Sequence, residues 1–294
     1  MEFAVTLDQP NLLRPGASRR LRIGRPHAPG VSILNGRGGR FEGGADSPDL
    51  SLKWVPEGSA EYRSEGRFYR LAGATQLLLN RGQSYRMNMG EPSETFVLFF
   101  PKAIADLAWG TMKSSDQALP EIPTAAAKAG PALLHSLASL REAASTPEPD
   151  AERLRELCCA TLNEIVSTVA LRRKQTSRIR AAKRVTREEL LRRCLRAQSY
   201  LDDMGSRATL AGAADAAALS QFHLIRLFKS VFDETPLAYG AARRLEHARS
   251  ELLRTNRPIV DVATGAGYES RTAFDRAFAR HFGITPGAVR ASAA

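Results

Sequence analysis

The chain has 294 residues, 43% of them hydrophobic and 25% charged, with 42 lysines and arginines against 31 aspartates and glutamates and a net charge of +11. This is the profile of a soluble globular chain of two domains. The opening MEFAVTLDQP lacks a basic stretch followed by an apolar core, and the densest apolar run, Phe96 to Phe100, is far short of the roughly 20 residues that cross a bilayer, so no secretion signal or membrane span is expected and the location is cytoplasmic.

Residues 1 to 47 contain RRLRIGR and GRGGRFEGG, whose charge is cancelled by nearby acids, and part of this region reads as a mobile arm or irregular lead-in, with a few of its residues left as candidates for a further barrel strand. From Leu50 to Phe100 the segments LSLKWV, AEYRS, RFYRL, TQLLLN, SYRMN and ETFVLFF are separated by Gly58, Gly66, Gly73, Gly82 and Gly90, the rhythm of a β-barrel or sandwich. Alternation places Leu50, Leu52 and Trp54 on one face, and Phe96, Leu98 and Phe100 on one face of the last strand, predicting one buried sheet face. No histidine falls between residues 50 and 100, and His27 and His135 flank the region far apart, so no clustered-histidine metal site and no metal-dependent oxygenase is expected. Phosphate-binding glycine loops and a serine nucleophile elbow are also missing, and no cofactor is expected. Trp54, Tyr62, Tyr69 and Tyr85 are candidate linings of a small-molecule interior, but ordinary core or surface is the plainer reading. No effector-binding residue is assigned.

Leu133, Leu134, Leu137 and Leu140 mark an amphipathic helix, and beyond Pro147 and Pro149 a second carries Leu154, Leu157, Leu162, Ile165 and Val169. The pair, residues 131–172, can bury its stripes against the strand domain or against a second subunit. Cys158 and Cys159 lie on the second helix, where burial is a better account than redox sensing, and with Cys194 they form no C-x-x-C pair, so disulfide frameworks and cysteine zinc sites drop out. Residues 173–185 read as an exposed basic linker. Residues 1–171 hold 19 basic and 19 acidic side chains, so the excess positive charge lies entirely downstream, as expected of a domain that faces a polyanion.

The rear of the chain repeats itself at an offset of 50 residues: Ser220 matches Ser270, Arg226 matches Arg276, Phe228 matches Phe278, Phe232 matches Phe282, and Thr235-Pro236 matches Thr285-Pro286. Each copy reads as helix, turn, helix. Ser220 caps a helix with Leu224, Leu227, Phe228 and Val231 inward and Gln221, Phe222, Ile225, Arg226 and Lys229 outward. Ser270 caps its counterpart, with Phe274, Ala277, Phe278 and Phe282 inward and Arg271, Thr272, Asp275, Arg276 and Ala279 outward. Between the copies, Thr235 caps and Pro236 opens a spacer helix running to about Thr255. Capped helices with basic outer turns have the form of recognition helices that enter a major groove.

Residues 186 to 291 resemble the DNA-binding domain of the AraC/XylS family of bacterial transcriptional regulators. The likeness is carried by SQFHLIRLFKSVF, by PLAYGAARRLEHARSELL and most specifically by IVDVATGAGYESRTAFDRAFARHFGITPGAVR. It implies an α+β chain: an N-terminal cupin-like β-barrel sensor (1–130), a helix pair serving as dimer element (131–172), a basic linker (173–185), and an all-α domain of two helix-turn-helix units joined by a spacer helix (186–294). By the same resemblance the base readers are Gln221, Phe222, Ile225 and Arg226 in copy one and Arg271, Thr272, Asp275 and Arg276 in copy two. Arginine can bond guanine bidentately, Thr272 can meet a thymine methyl and Asp275 can accept from cytosine, although an ion pair that positions arginines is the plainer reading of Asp275. His223 reads as a surface or packing residue.

The implied partners are double-stranded DNA and a second copy of the chain, with a small-molecule effector and RNA polymerase as further candidates and no membrane. The implied function is sequence-specific transcriptional regulation, activation more often than repression, without enzymatic activity. The alternatives are an architectural DNA-binding protein and, behind it, a cupin-type enzyme. Copy one departs from the family pattern at Gly212, Ala213, Ala218 and Asp233, and Gly240 interrupts the spacer helix, which makes copy two the firmer reader.

Overall fold

The computed structural model describes residues 4–8, 30–38, 41–47, 49–90, 92–114 and 117–292. The chain forms two compact units, Met1–Lys174 and Gln175–Ala294. All strands belong to the first.

Its elements are β1 (Ala4–Asp8), β2 (Gly30–Gly38), β3 (Phe41–Asp46), β4 (Leu50–Glu57), β5 (Ala60–Ser64), β6 (Arg67–Leu71), β7 (Thr75–Leu79), β8 (Ser84–Met89), β9 (Ser93–Phe100), α1 (Lys102–Lys113), β10 (Ala126–Lys128), α2 (Pro131–Ala144) and α3 (Ala151–Ser177). The six expected strands are β4 to β9. At the β5–β6 hairpin, Glu65 and Gly66 both take positive φ, the two-residue turn whose twist suits antiparallel strands. Gly58 also has positive φ, and a Cβ there would lie 2.3 Å from the Pro92 carbonyl oxygen, so only glycine fits.

The strands form a six-stranded sheet, β1-β2-β9-β4-β7-β10, and a four-stranded sheet, β3-β8-β5-β6. All pairs are antiparallel except β1 with β2. Among the described residues no strand pair joins the two sheets, so the expected barrel is an open two-sheet structure. The region of which part was read as an irregular lead-in supplies three strands, β1, β2 and β3, its GRGGRFEGG segment ending β2 and opening β3; the RRLRIGR segment lies outside the described residues. Backbone pairing overrides the weak strand propensity of glycine there.

The expectation of one buried face is also corrected. Every residue from Leu50 to Val55 and from Ser93 to Phe100 is buried, because the large sheet is covered on both sides. On one face Leu52, Trp54, Leu78, Phe96, Leu98 and Phe100 share a core with Trp109 of α1, Leu133, Leu137 and Leu140 of α2, and Leu154, Leu162, Ile165 and Val169 of α3. On the other, Val55, Leu77 and Leu79 meet Tyr62, Tyr69, Leu71, Tyr85 and Met89. The four aromatics considered as linings are thus core residues. The stripes of the 131–172 helix pair are likewise buried inside their own unit. Burial pushes the Cys158 thiol up to about 12, which keeps it protonated.

Residues 173–185, read as an exposed linker, are helical at both ends: α3 continues through Ser177 and α4 (Arg184–Met204) begins at Arg184. Arginine, lysine and glutamine are good helix formers, and once α3 is nucleated its extension is favourable.

One polar cluster pins α2 to the large sheet. Glu94 on β9 is only 1% exposed and accepts from Arg141 Nε at 2.8 Å and from Arg141 Nη2, while Arg141 also donates to Glu57 at 2.7 Å and Arg37 lies 3.3 Å from Glu94. Arg141→Leu strands this carboxylate with only the exposed Arg37 nearby and is expected to lower stability by about 3 kcal/mol in urea unfolding.

Candidate nucleic-acid interface

In the second unit, α4 is followed by α5 (Leu210–Ala217), α6 (Gln221–Phe232), α7 (Pro236–Arg254), α8 (Ile259–Gly265), α9 (Arg271–Phe282) and α10 (Pro286–Ala291). α5–α6 and α8–α9 are the two helix-turn-helix copies and α7 is the spacer. The hydroxyls of Thr209, Ser220, Thr235, Ser270 and Thr285 each accept from a backbone N–H three residues on, at 3.0 to 3.3 Å. These caps satisfy N–H groups that a helix start would leave unpaired.

Each copy has its own small core. Leu224 and Phe228 of α6 pack with Ala213, Ala214 and Ala217 of α5 and with Ala197 and Leu201 of α4. Phe274 and Phe278 of α9 pack with Val262 and Ala263 of α8, Val289 of α10 and Leu245, Ala248 and Leu252 of α7. The part played by α4 was not read from the sequence, although its buried Leu191, Cys194, Leu195 and Leu201 carry a helical period. The Cys194 thiol is pushed up to about 12 by burial.

Seating these faces inward fixes what faces out. Gln221, Phe222 and Arg226 are exposed and Ile225 is half-buried; at the equivalent positions of α9, Arg271, Thr272 and Arg276 are exposed and Asp275 is half-buried. The eight expected readers therefore occupy one face on each of two equivalent helices, on the N-terminal turns. Phe222 is 71% exposed, and the Arg226 guanidinium lies over its ring at 5.5 Å, so the two side chains form one surface feature. In α9, Asp275 lies 3.6 Å from Arg271, the ion pair expected of it, while Arg276 makes no ion pair among the described residues.

A cleft of about 520 Å³ runs beside α6, lined by Ile179, Arg180, Leu190, His223, Arg226, Leu227, Lys229 and Ser230. Arg180, Arg226 and Lys229 gather here without an ion pair among the described residues, which makes the cleft flank strongly basic. The segment that carries Arg180 is held to α6: Arg178 donates to Asp233 at 2.6 Å, its carbonyl accepts from Ser230 at 2.9 Å, and Ile179 is buried. Asp233 sits at positive φ where copy two has Gly283, and its ion pair to Arg178 is the use this chain makes of the non-glycine residue. A contact across 55 residues leaves no periodic trace, so sequence reasoning missed it.

Residues 213–292 match the family described as Helix-turn-helix domain. The chain is 37% identical over 93 residues to the RCS-specific HTH-type transcriptional activator RclR of Escherichia coli (strain K12), a match that spans 32% of this chain and 33% of RclR. It is 40% identical over 77 residues to the regulatory protein SoxS of Escherichia coli (strain K12), covering 26% of this chain and 72% of SoxS. The chain belongs to the AraC/XylS family of transcriptional regulators. Among solved structures, an AraC-type regulator from Chromobacterium violaceum is 29% identical, covering 35% of this chain and 92% of that one with a TM-score of 0.34. The chain spans about a third of the length of RclR. Among the described residues no helix is long and apolar enough to cross a membrane, and no group of three or more histidine, cysteine or acidic side chains is placed to hold a metal.

The departures from the AraC family pattern have measurable consequences. Ala218 closes α5 at φ +51, a left-handed conformation that disfavours a side chain, so Ala218→Gly is expected to raise stability by about 1 kcal/mol. At Gly240 inside α7 a Cβ would meet nothing closer than 3.7 Å, so Gly240→Ala is expected to add about 0.5 to 1 kcal/mol. Urea midpoints at constant slope check both.

Proposed function

We propose that the second unit binds duplex DNA at a specific sequence, with α6 and α9 in two successive segments of the major groove, and that the first unit senses a signal that changes how the readers are presented. The observation that carries this reading is the repeat of one exposed surface: Gln221, Phe222, Ile225 and Arg226 recur 50 residues later as Arg271, Thr272, Asp275 and Arg276, on helices capped alike and joined by a single spacer. The 19 residues of α7 span about 28 Å, close to the roughly 34 Å turn of B-DNA. Arg180, Lys229 and the other basic residues beside α6 are the proposed phosphate contacts, which hold register without reading sequence.

Activation is the proposed direction, in keeping with the name of RclR. A change of presentation by an effector requires that it bind the two arrangements with different affinity. Homodimerisation belongs to the proposal too, through faces other than the α2 and α3 stripes. Contact with RNA polymerase follows from activation in the same way.

Selection of random duplexes on the purified chain at about 150 mM salt, with sequencing of the bound pool, tests the reading. An enriched motif is expected; a pool without one, bound tightly at low salt, would favour an architectural protein held by charge alone. On the recovered site, Arg276→Ala is expected to cost about 1 to 3 kcal/mol and to relax preference at one position, whereas Lys229→Ala weakens all sequences alike and lowers the salt slope by about one.

A further inference from the structure

The end of α4 and the first half of α7 are tied together by one acid. Asp202 lies in the last turn of α4 with its side chain only 5% exposed, and its Oδ1 accepts from the Tyr239 hydroxyl at 2.9 Å and from Arg243 Nε at 3.0 Å. Tyr239 and Arg243 stand four residues apart on α7, one above the other on a single face. Asp202 thus holds α7 at two points about one helical turn apart, and Arg243 is braced from its other side by Glu246. The Tyr239 ring meets Phe228 of α6 at 5.7 Å between centres, so the cluster reaches the copy-one reader helix through one aromatic contact.

Copy two shows that the core of a helix-turn-helix unit does not need this acid. Ala197 and Leu201 of α4 take in the first core the place that Ala248 and Leu252 of α7 take in the second, an offset of 51 residues. The same offset sets Asp202 against Leu253, which is 43% exposed. Tyr239 corresponds, at the offset of 50, to Val289, which fills the second core without a hydroxyl. Taking a carboxylate out of water is costly and its donors roughly offset that cost, so core stability alone does not call for an acid here. Asp202 and the Tyr239 hydroxyl are additions to copy one, and both serve its junction with α7.

We propose that Asp202 is a positioning residue for two-site DNA binding: through Tyr239 and Arg243 it fixes the angle at which α7 leaves copy one, and with it the placement of α9 relative to α6. This rests on the reading of two groove segments by one rod and names the joint that keeps the rod in line. α4 is packed into copy one by Ala197 and Leu201, and copy two is packed on the far half of α7 by Leu245, Ala248 and Leu252, so a change of angle at Tyr239 and Arg243 is carried to the second reader. Over the roughly 28 Å of α7, a tilt of about 10° displaces the far end by about 5 Å. That exceeds the roughly 3.4 Å between successive base pairs, so the joint sets which spacing of half-elements the chain accepts.

Affinity of the full chain is measured for a selected duplex with both half-elements, for that duplex with one base pair inserted between them, and for each half-element alone; the insertion moves the second half-element by about 3.4 Å and turns it by about 34°. The unaltered chain is expected to lose about tenfold or more on the insertion. Two variants are compared with it: Asp202→Leu, which gives α4 the residue that copy two has there, and Tyr239→Phe, which keeps the ring on Phe228 and removes only the hydroxyl. Both are expected to bind the original two-element duplex about tenfold more weakly, to lose about threefold or less on the insertion, and to bind each half-element as the unaltered chain does. Variants that keep the full insertion penalty, or that lose half-element binding in the same proportion, would overturn the proposal, because a merely structural acid weakens every duplex alike. Tyr239→Phe leaves the core contact in place, so poor folding of Asp202→Leu does not remove the test. An unaltered chain indifferent to the insertion would overturn the two-reader reading itself, and the joint with it.

Discussion

The second unit depends on the seating of two phenylalanines. Phe228 and Phe278 are fully buried at equivalent places in two separate small cores, and α7 borders both: Tyr239 meets Phe228 at 5.7 Å between ring centres, and Leu245, Ala248 and Leu252 line the core of Phe278. Burying such a side chain contributes about 1.5 to 3 kcal/mol, enough to fix the rotation of a 12-residue helix about its own axis. That rotation decides which side chains face out. With Phe228 inward, Phe222 and Arg226 have no choice but the surface, and with Phe278 inward the same holds for Thr272 and Arg276.

The first unit obeys a different constraint. Its large sheet is packed on both faces, by the small sheet and by three helices, so polar residues on its central strands must find partners inside. Glu94 does so through Arg141, and Ser51 through Ser47 at 2.6 Å. Lys53 Nζ finds none among the described residues, and an unpartnered buried amine is costly.

What was legible in the sequence follows the range of each interaction. Strands β4 to β9 were readable because alternation and turn glycines are local signals, and the helix caps and inward stripes of both copies were readable for the same reason. Ser51 and Lys53 show the limit: their alternation was right, but polarity suggested a solvent face where a second sheet lies. β2 and β3 were hidden by glycine, and α1 by alanine, since Ile104, Ala105, Ala108 and Trp109 make a stripe too slight to stand out. The eight reader positions came from local pattern and family resemblance, and each lies on the exposed or half-buried face of its helix. The strap from Arg178 to Asp233 and the basic cleft beside α6 arise from residues about fifty positions apart, and nothing in the spacing announces them.

The central claim is that one rigid α7 presents two readers to two successive groove segments of a single duplex. Affinity measured on a selected site before and after inserting about 5 base pairs, half a helical turn, between its two half-elements tests this directly. A two-reader rod cannot follow the second half-element to the opposite side of the duplex, so binding should fall by about two orders of magnitude, toward that of one half-element alone. Unchanged affinity after the insertion would mean that the two helices do not read together, and would contradict the account.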